Sequence, residues 1–346
     1  MKYLLFITPV YLSGILLDNG KLTTDGTVLG RGAFGYVIGA TRQATEDSPE
    51  MQVALKLLDE RYDAVAVRAE IDALSILLGS PIDHPGKKNI LKCFGCFKHE
   101  IYRVFTFELL GISLADLLKM NGDRGMKMSD VKRVARELLQ ALDHCHRCGV
   151  IHTDLKPNNV LLSHRQLVEE NGLFMPTPGN ESLVKLIDFG SARVSEEGDE
   201  HPVTTAPYRS PEAILYIKWT SKTDIWSLGC LLVELFMGGR LFPICDEHEA
   251  LHVELIRIKL SAIPGSMIER ASRSFGRRLA ITSTVLVSQF GLRALAAARS
   301  LDSQLLEHPA FLWFVQRMLE LDPEDRATAT ESLADAFLTI ESGVTV

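Results

Sequence analysis

Cysteine is scarce, with six in 346 residues. That density excludes a disulfide scaffold and points to a reducing, intracellular setting, nucleus or cytoplasm. Positive charge is not in excess either: 37 lysines and arginines face 44 acidic residues, a formal charge of −7. This speaks against a globally basic nucleic-acid binder, although it leaves room for a local basic patch and for basic peptides as partners. Long apolar runs are also missing, and no stretch approaches the ~18–20 residues of a membrane span. The 25 glycines and 14 prolines follow no period, and 46% of the residues are hydrophobic. Collagen, coiled coil and disorder are thereby excluded. What is present is enough chain for one large domain or two lobes with real cores.

The first residues need a reading of their own. Lys2 followed by Tyr3-Leu4-Leu5-Phe6-Ile7 has the flavour of a signal peptide. Pro9, Ser13 and Gly14 interrupt the apolar stretch, and no small-x-small site precedes Asp18. Residues 1–21 read instead as an irregular extension packed on the first lobe. Two C-x-x-C pairs, Cys93/Cys96 and Cys145/Cys148, suggest a zinc site at first sight. Cys93 and Cys96 lie in an alternating, strand-like run, where positions three apart face opposite sides, so four sulfurs do not converge. Buried structural thiols are the expectation, with no metal at those pairs.

Along the chain, residues 22–60 carry strand and turn signals, and 62–78 switch to helical spacing through Val67, Ile71, Leu74 and Leu77-Leu78. Strands are expected at 90–97 and 101–109. Beyond Gly111 the pattern turns helical, at 113–120 and at 129–147, the latter opened by Ser129 with Asp130 in its first turn. A strand-turn-strand region spans 150–188, with 163–183 reading as a loop insertion rich in turn residues. Helices dominate 221–237, 247–260 and 308–340. The organisation is a small β-rich lobe, a hinge near 108–112 and a larger helical lobe.

The chemistry lies in the junctions. Gly30, Gly32 and Gly35 bracket Ala33 and Phe34, follow a strand ending at Leu29 and lead into another at Val37. A dinucleotide fingerprint needs a helix there, whereas a strand fits a β-hairpin closing over phosphates. On its own the motif is also compatible with a plain tight hairpin. Lys56, in Val53-Ala54-Leu55-Lys56, points to the face opposite Leu55 and Leu57. Taken alone it reads equally as a snorkelling surface lysine, but Glu70 on the expected helix offers it a partner. The densest signal is Ile151-His152-Thr153-Asp154-Leu155-Lys156-Pro157-Asn158-Asn159, followed by Ile187-Asp188-Phe189-Gly190. Phosphoryl transfer needs a carboxylate near the attacking hydroxyl, a cation on the γ-phosphate and oxygen ligands for magnesium. Asp154, Lys156 and the pair Asn159/Asp188 supply them in that order.

On these residues the chain resembles the eukaryotic protein kinase family over about residues 22–340. Ser210-Pro211-Glu212 matches the family's Ala-Pro-Glu segment. Asp224-Ile225-Trp226-Ser227-Leu228-Gly229 is similar to another family segment, and Arg326 matches the arginine that pairs with the Glu212 position. Tyr208-Arg209 before Ser-Pro-Glu resembles the CMGC group. Within that group Phe107-Glu108-Leu109-Leu110-Gly111, Thr153 and Phe189-Gly190-Ser191-Ala192 are similar to LAMMER-type and SR-protein kinases. The segment 247–254 does not spell the LAMMER signature, Asn158 replaces the usual glutamate, and residues 270–305 resemble nothing recognisable.

The resemblance implies an α+β bilobal fold with a small β-rich N-lobe carrying one main helix and a larger α-helical C-lobe. It divides the chain into an extension (1–21), an ATP-binding N-lobe (22–110), a catalytic and substrate-docking C-lobe (111–340) and a tail (341–346). It implies ATP and Mg²⁺ as cofactors. Leu29, the glycine loop, Lys56 and Glu70 would hold the nucleotide. Phe107 would be the gatekeeper, the Glu108 carbonyl and Leu110 amide would bond adenine, and Val37, Ala54 and Leu161 would sandwich it. It further implies a monomer that phosphorylates Ser or Thr of protein substrates, basic or Arg/Ser-rich, with tyrosine autophosphorylation also open. The acidic run Glu196, Glu197, Asp199, Glu200 is a candidate for attracting arginine, or a solvated loop without a role. Thr153 stands where many kinases carry a phosphate-receiving arginine, which favours constitutive activity. Arg209 would hold the loop through a carboxylate or a carbonyl, or else receive a phosphate at Thr204, Thr205 or Tyr208. The rival from another class is a pseudokinase scaffold, whose mark would be loss of Lys56, Asp154, Asn159 or Asp188, and all four are present.

Overall fold

The computed structural model describes residues 13–340 except 19, 32–34, 44, 46–47, 62–63, 171, 177–181, 195–202, 245–248, 272–294 and 296. Among the described residues the N-lobe is a six-stranded antiparallel sheet. Its strands are β1 (Ser13–Leu17), β2 (Leu22–Arg31), β3 (Gly35–Arg42), β4 (Met51–Asp59), β5 (Cys93–His99) and β6 (Tyr102–Glu108), in the order β1-β2-β3-β4-β6-β5. Period-two alternation sorts β4 onto two faces. Val53 and Leu55 pack with Leu17, Leu22, Ile38 and Val104 in one cluster. Ala54 and Leu58 face the other way and join Val67, Leu74 and Leu77 of helix α1 (Ala64–Gly79) in the main core. Lys56 shares that second face, so the strand itself aims it into the interlobe cleft.

Two expectations need correction here. The extension is not irregular throughout: Ser13–Leu17 pairs with β2, because Leu17 completes the apolar face opened by Leu22. Residues 1–12 lie outside the described part. The alternation argument for Cys93 and Cys96 also fails. A bulge between Cys93 and Gly95 sets Cys93 opposite Phe107 and Cys96 opposite Phe105. Those partners are two apart on one strand, so both thiols stand on the same face of the sheet. No group of three or more metal-ligating side chains occurs among the described residues.

The C-lobe is built on α2 (Leu114–Met120), α3 (Met128–Arg147), α4 (Pro211–Ile214), α5 (Lys222–Met237) and α6 (Glu249–Lys259), continued by α7 (Gly265–Arg270), α8 (Leu301–Gln304), α9 (Pro309–Met318), α10 (Ala329–Leu333) and α11 (Ala336–Thr339). Helix α3 starts at Met128, with Lys127 as a cap that makes no side-chain bond, so Ser129 is inside the first turn rather than the cap. Helix α5 is buried almost all round and carries Asp224 inside the core. The insertion at 163–183 is not all loop. Residues Leu167–Glu170 (β9) and Leu173–Pro176 (β10) form a hairpin, turned at Gly172 with φ 71°. Asn-Gly is a preferred sequence for a two-residue hairpin turn. Asn121, at the end of α2, holds it by accepting from the Phe174 N–H (2.7 Å) and donating to the Phe174 carbonyl (3.0 Å).

Small two-stranded pairings suspend the loops between the lobes. Val150–Ile151 (β7) pairs with Arg193–Val194 (β12), and Val160–Leu162 (β8) pairs with Val184–Leu186 (β11). The hinge passes closely over β8: a Cβ on Gly111 would lie 2.2 Å from the His164 carbonyl oxygen, which excludes any larger residue. Both lobes share one continuous core cluster.

Candidate active site

Register places Lys56 between Val37 of β3 and Phe105 of β6. Its ammonium reaches the Glu70 carboxylate on α1 at 2.7 and 2.8 Å and Asp188 Oδ1 at 2.8 Å. Burial opposes the charge, but Glu70 and Asp188 outweigh it and hold the Lys56 pKa above its usual value. Burial likewise works against the Asp188 carboxylate, and Lys56 overcomes it, keeping that carboxyl below the ordinary range. Asp188 sits in left-handed backbone at φ 65°. Such strain in a non-glycine residue concentrates where surrounding contacts over-determine the geometry. Here Phe189, next in sequence, is fully buried with its ring 5.0 Å from His152, and His152 Nε2 lies 3.0 Å from the Ile187 carbonyl.

The loop from His152 to Asn159 is fastened from below. Asp224 accepts from the His152 and Thr153 N–H groups (2.9 and 2.8 Å) and lies 2.9 Å from His146 Nε2. Burial disfavours its charge, yet these donors leave the Asp224 pKa depressed. Thr153 adopts φ 65° and donates its hydroxyl to the Ser191 carbonyl at 2.7 Å. Asp154 is ringed by partners. Lys156 Nζ is 2.7 Å from Oδ2, the Thr205 hydroxyl donates to Oδ1 at 2.6 Å, and Asn159 Nδ2 bonds both Oδ2 and the Asp154 carbonyl. Lys156 also donates to Thr205 at 2.9 Å. Asparagine 159 spends its amide protons on Asp154, which leaves Oδ1 without a donor among the described residues. With the half-exposed Asp188 carboxylate it supplies the hard oxygen donors that magnesium prefers. The donor set fits that ion.

Above this floor, Ala54 and Phe107 are paired across β4 and β6, and both are buried. Val37 and Leu161 are half-buried. Leu29 is 37% exposed at the end of β2. The Glu108 carboxylate is tied to Lys185 (2.7 Å) and to the Lys92 N–H (2.7 Å), which fixes the start of the hinge at Glu108-Leu109-Leu110. Gly32, Ala33 and Phe34 lie outside the described residues. Of the flanking glycines, Gly35 is enforced by sterics, since a Cβ there would meet the Leu57 carbonyl at 1.9 Å, whereas Gly30 has ordinary room.

The activation-segment residues divide. Thr205 is drawn into the Asp154–Lys156 pair. Thr204 has φ 70° and a buried hydroxyl without a partner among the described residues. Tyr208 is buried, and its hydroxyl donates to Glu234 Oε2 at 2.5 Å. Burial and Glu234 together push its pKa far up. Arg209 donates to the Val203 and Thr204 carbonyls (3.1 and 2.9 Å), so it caps backbone. Glu212 is wholly buried and forms a two-pronged pair with Arg326 at 2.6 and 2.8 Å. Sequence reasoning gave no role to Glu234 or to Asp224. An acidic residue directly before the largely apolar run Ile225–Val233 was the available signal for Asp224. The acidic run at 196–200 lies outside the described residues.

A sheet lobe over a helical lobe, with one lysine latched to a helix glutamate and to an aspartate from the opposite lobe, defines a protein kinase catalytic domain. The chain belongs to that family: a family model described as protein kinase domain matches residues 23–338. Within the family it is related to CMGC kinases of the LAMMER and SR-protein type. It is 30% identical over 324 residues to the dual specificity protein kinase CLK1 of Homo sapiens, covering 89% of this chain and 64% of that protein. It is 31% identical over 335 residues to the serine/threonine-protein kinase AFC1 of Arabidopsis thaliana, covering 90% and 69%. It thus spans slightly under two thirds of the length of CLK1. Among solved structures, the kinase domain of PF14_0431 superposes with a TM-score of 0.79 at 27% identity, covering 94% of this chain and 97% of that one.

Proposed function

We propose that the protein transfers the γ-phosphate of ATP to serine or threonine hydroxyls of protein substrates. The observation that carries this is the Lys56 ammonium bound at once by Glu70 and Asp188, residues of different lobes. In this reading Lys56 holds the α- and β-phosphates, with Glu70 keeping it extended. Val37, Ala54 and Leu161 enclose the adenine ring, Phe107 closes the rear of the slot, and the Glu108 carbonyl and Leu110 amide bond its edge. Gly30, Gly32 and Gly35 let backbone approach the phosphates. Asn159 and Asp188 would hold magnesium, which supplies charge neutralisation on the phosphate oxygens. Asp154 orients the substrate hydroxyl and accepts its proton, while Lys156 offsets charge developing on the transferred group. Thr205 bonds both, so the segment that receives substrate is registered against the catalytic pair.

Basic or Arg/Ser-rich substrates are favoured by the acidic run at 196–200 and by the kinship with LAMMER-type and SR-protein kinases. A monomer acting on proteins rather than on nucleic acid, in the nucleus or cytoplasm, agrees with the acidic charge and with five described cysteines that are all free thiols. Among the described residues no helix is long and apolar enough to cross a membrane. Radiolabelled ATP with a basic protein acceptor tests the activity. Label transfer by the wild type that disappears in Asp154→Ala is the expected result. Equal labelling by both proteins, or none by either, overturns the reading.

A further inference from the structure

Strands β8 and β11 pair with Leu161 directly opposite Lys185. Residues opposed in this way share one face of a sheet, and their sequence neighbours take the other. Those neighbours, Val160 and Leu162 on β8 and Val184 and Leu186 on β11, are all buried in the main core. Leu161 and Lys185 are therefore the rung that faces away from the C-lobe core. The Lys185 ammonium crosses from there to the hinge and meets Glu108 Oε1 at 2.7 Å, with both side chains mostly buried. Solvent screens such a pair only in part. The same carboxylate oxygen accepts from the Lys92 N–H at 2.7 Å, and the Glu108 N–H donates to the Lys92 carbonyl at 3.1 Å. Glu108 is thus held by the N-lobe through Lys92 and by the C-lobe through Lys185. Lys56 and Asp188 also join the lobes, but beside the glutamate of α1.

A carboxylate fixed from two sides leaves its side chain few rotamers, and rotamer and backbone dihedrals are coupled. The backbone at Glu108 is therefore restrained through its own side chain, and with it the direction of the Glu108 carbonyl. Given the ATP site proposed above, on which this rests, we propose that Lys185 is a positioning residue for base selection. Through the Glu108 carboxylate it aims the Glu108 carbonyl at the exocyclic amino group of adenine. The amino group donates to that carbonyl, so a purine without it leaves an acceptor unpaired in the closed slot. Lys185 itself takes no part in phosphoryl transfer. Its effect is on which nucleotide is held, and at what concentration.

Steady-state phosphotransfer to a basic protein, with ATP or purine riboside triphosphate as donor, tests this on the full chain. The ratio of kcat/KM for the two nucleotides does not depend on how much of a preparation is folded. Wild type should favour ATP about tenfold or more, since the analogue lacks the amino group and strands the carbonyl. Lys185→Met should cut that preference about threefold or more, chiefly by raising KM for ATP while kcat stays near wild type. Glu108→Gln keeps the backbone carbonyl and removes the charge, so it should do the same. The double variant should lose no more than either single one, because both act through one pair. A merely structural role would raise KM for both nucleotides in parallel and leave the ratio intact, which overturns the proposal. So does an unchanged KM for ATP in Lys185→Met, or effects of the two substitutions that add. A wild type that uses both nucleotides equally well removes the positioning role alone. A wild type that turns over neither overturns the ATP site itself.

Discussion

Arg326 and Glu212 are 114 positions apart in sequence, yet their side chains meet with no solvent exposure on either. The guanidinium also donates to the carbonyls of Glu320, Lys222 and Leu321, and it lies over the Trp226 ring at 5.2 Å. Removing one partner strands the other charge in the core. Arg326→Met or Glu212→Gln alone should cost about 3–5 kcal/mol of unfolding free energy, and the double variant less than the sum. Urea denaturation of the four proteins measures it, and strictly additive losses would refute the coupling.

On the proposed function, Lys56→Met and Asp188→Ala remove groups assigned to phosphate and magnesium rather than to packing. Phosphotransfer should fall by about 10³-fold or more in each, a barrier increase of several kcal/mol, with circular dichroism unchanged. A folded variant with normal turnover would remove Lys56 from the site.

Thr153 bonds the Ser191 carbonyl, Arg209 caps two carbonyls, and Thr205 is held by Asp154 and Lys156. These contacts hold Ser191 and residues 203–205 without any phosphate. Protein stripped by phosphatase, with residues 191–209 shown unmodified by mass spectrometry, should keep a first-turnover kcat within about a few-fold of untreated enzyme. A lag that ends as Tyr208 or Thr205 becomes phosphorylated would show a switch instead.

Charge reversal at Glu196, Glu197, Asp199 and Glu200 should raise KM for Arg-Ser peptides more than for neutral ones, and the difference should shrink at high salt. Equal KM changes for both peptide classes would leave the run without a role in specificity.

His252 is buried, its Nε2 has no partner among the described residues, and burial together with nearby Arg209 lowers its pKa to about 3. Below pH ~6.5 the unfolded chain takes up a proton at this position that the folded chain refuses. Its contribution to stability is therefore lost as pH falls from ~6.5 toward 3, at about 1.4 kcal/mol per pH unit. Urea titrations at pH 6.5, 5.5 and 4.5 should show a shallower acid loss in His252→Leu. Parallel slopes in the two proteins would place a partner on that ring.

The residues proposed for phosphotransfer could be picked out in the sequence because that chemistry restricts residue type and spacing, and the fold brings them to one cleft: Lys56 on a strand, Glu70 on the next helix, Asp154, Asn159 and Asp188 around two short strand pairs. The two-lobe organisation followed from the change of hydrophobic period near Gly111, and the fold class from the family resemblance carried by these motifs. What escaped depended on contacts distant in sequence. The bulge at Cys93–Gly95 is set by pairing with β6, and the hairpin at 167–176 is held by Asn121. The placing of Thr205 against Asp154, and of Lys185 against Glu108, appears only once strands and loops are packed.

The alternation of β4 also bears on how the gene can change length. Lys56 reaches Glu70 and Asp188 because Met51–Asp59 is paired residue for residue on both sides, with β3 and with β6. Deleting a single codon between Met51 and Lys56 would move the later side chains to the opposite face, burying the ammonium against Leu22, Ile38 and Val104 and turning leucines into the cleft. The connection at 43–50 has no such constraint, since length added or lost there leaves the pairing of β3 with β4 intact. Codon insertions and deletions in a library of this chain should therefore survive selection for activity at 43–50 and be eliminated at 51–56.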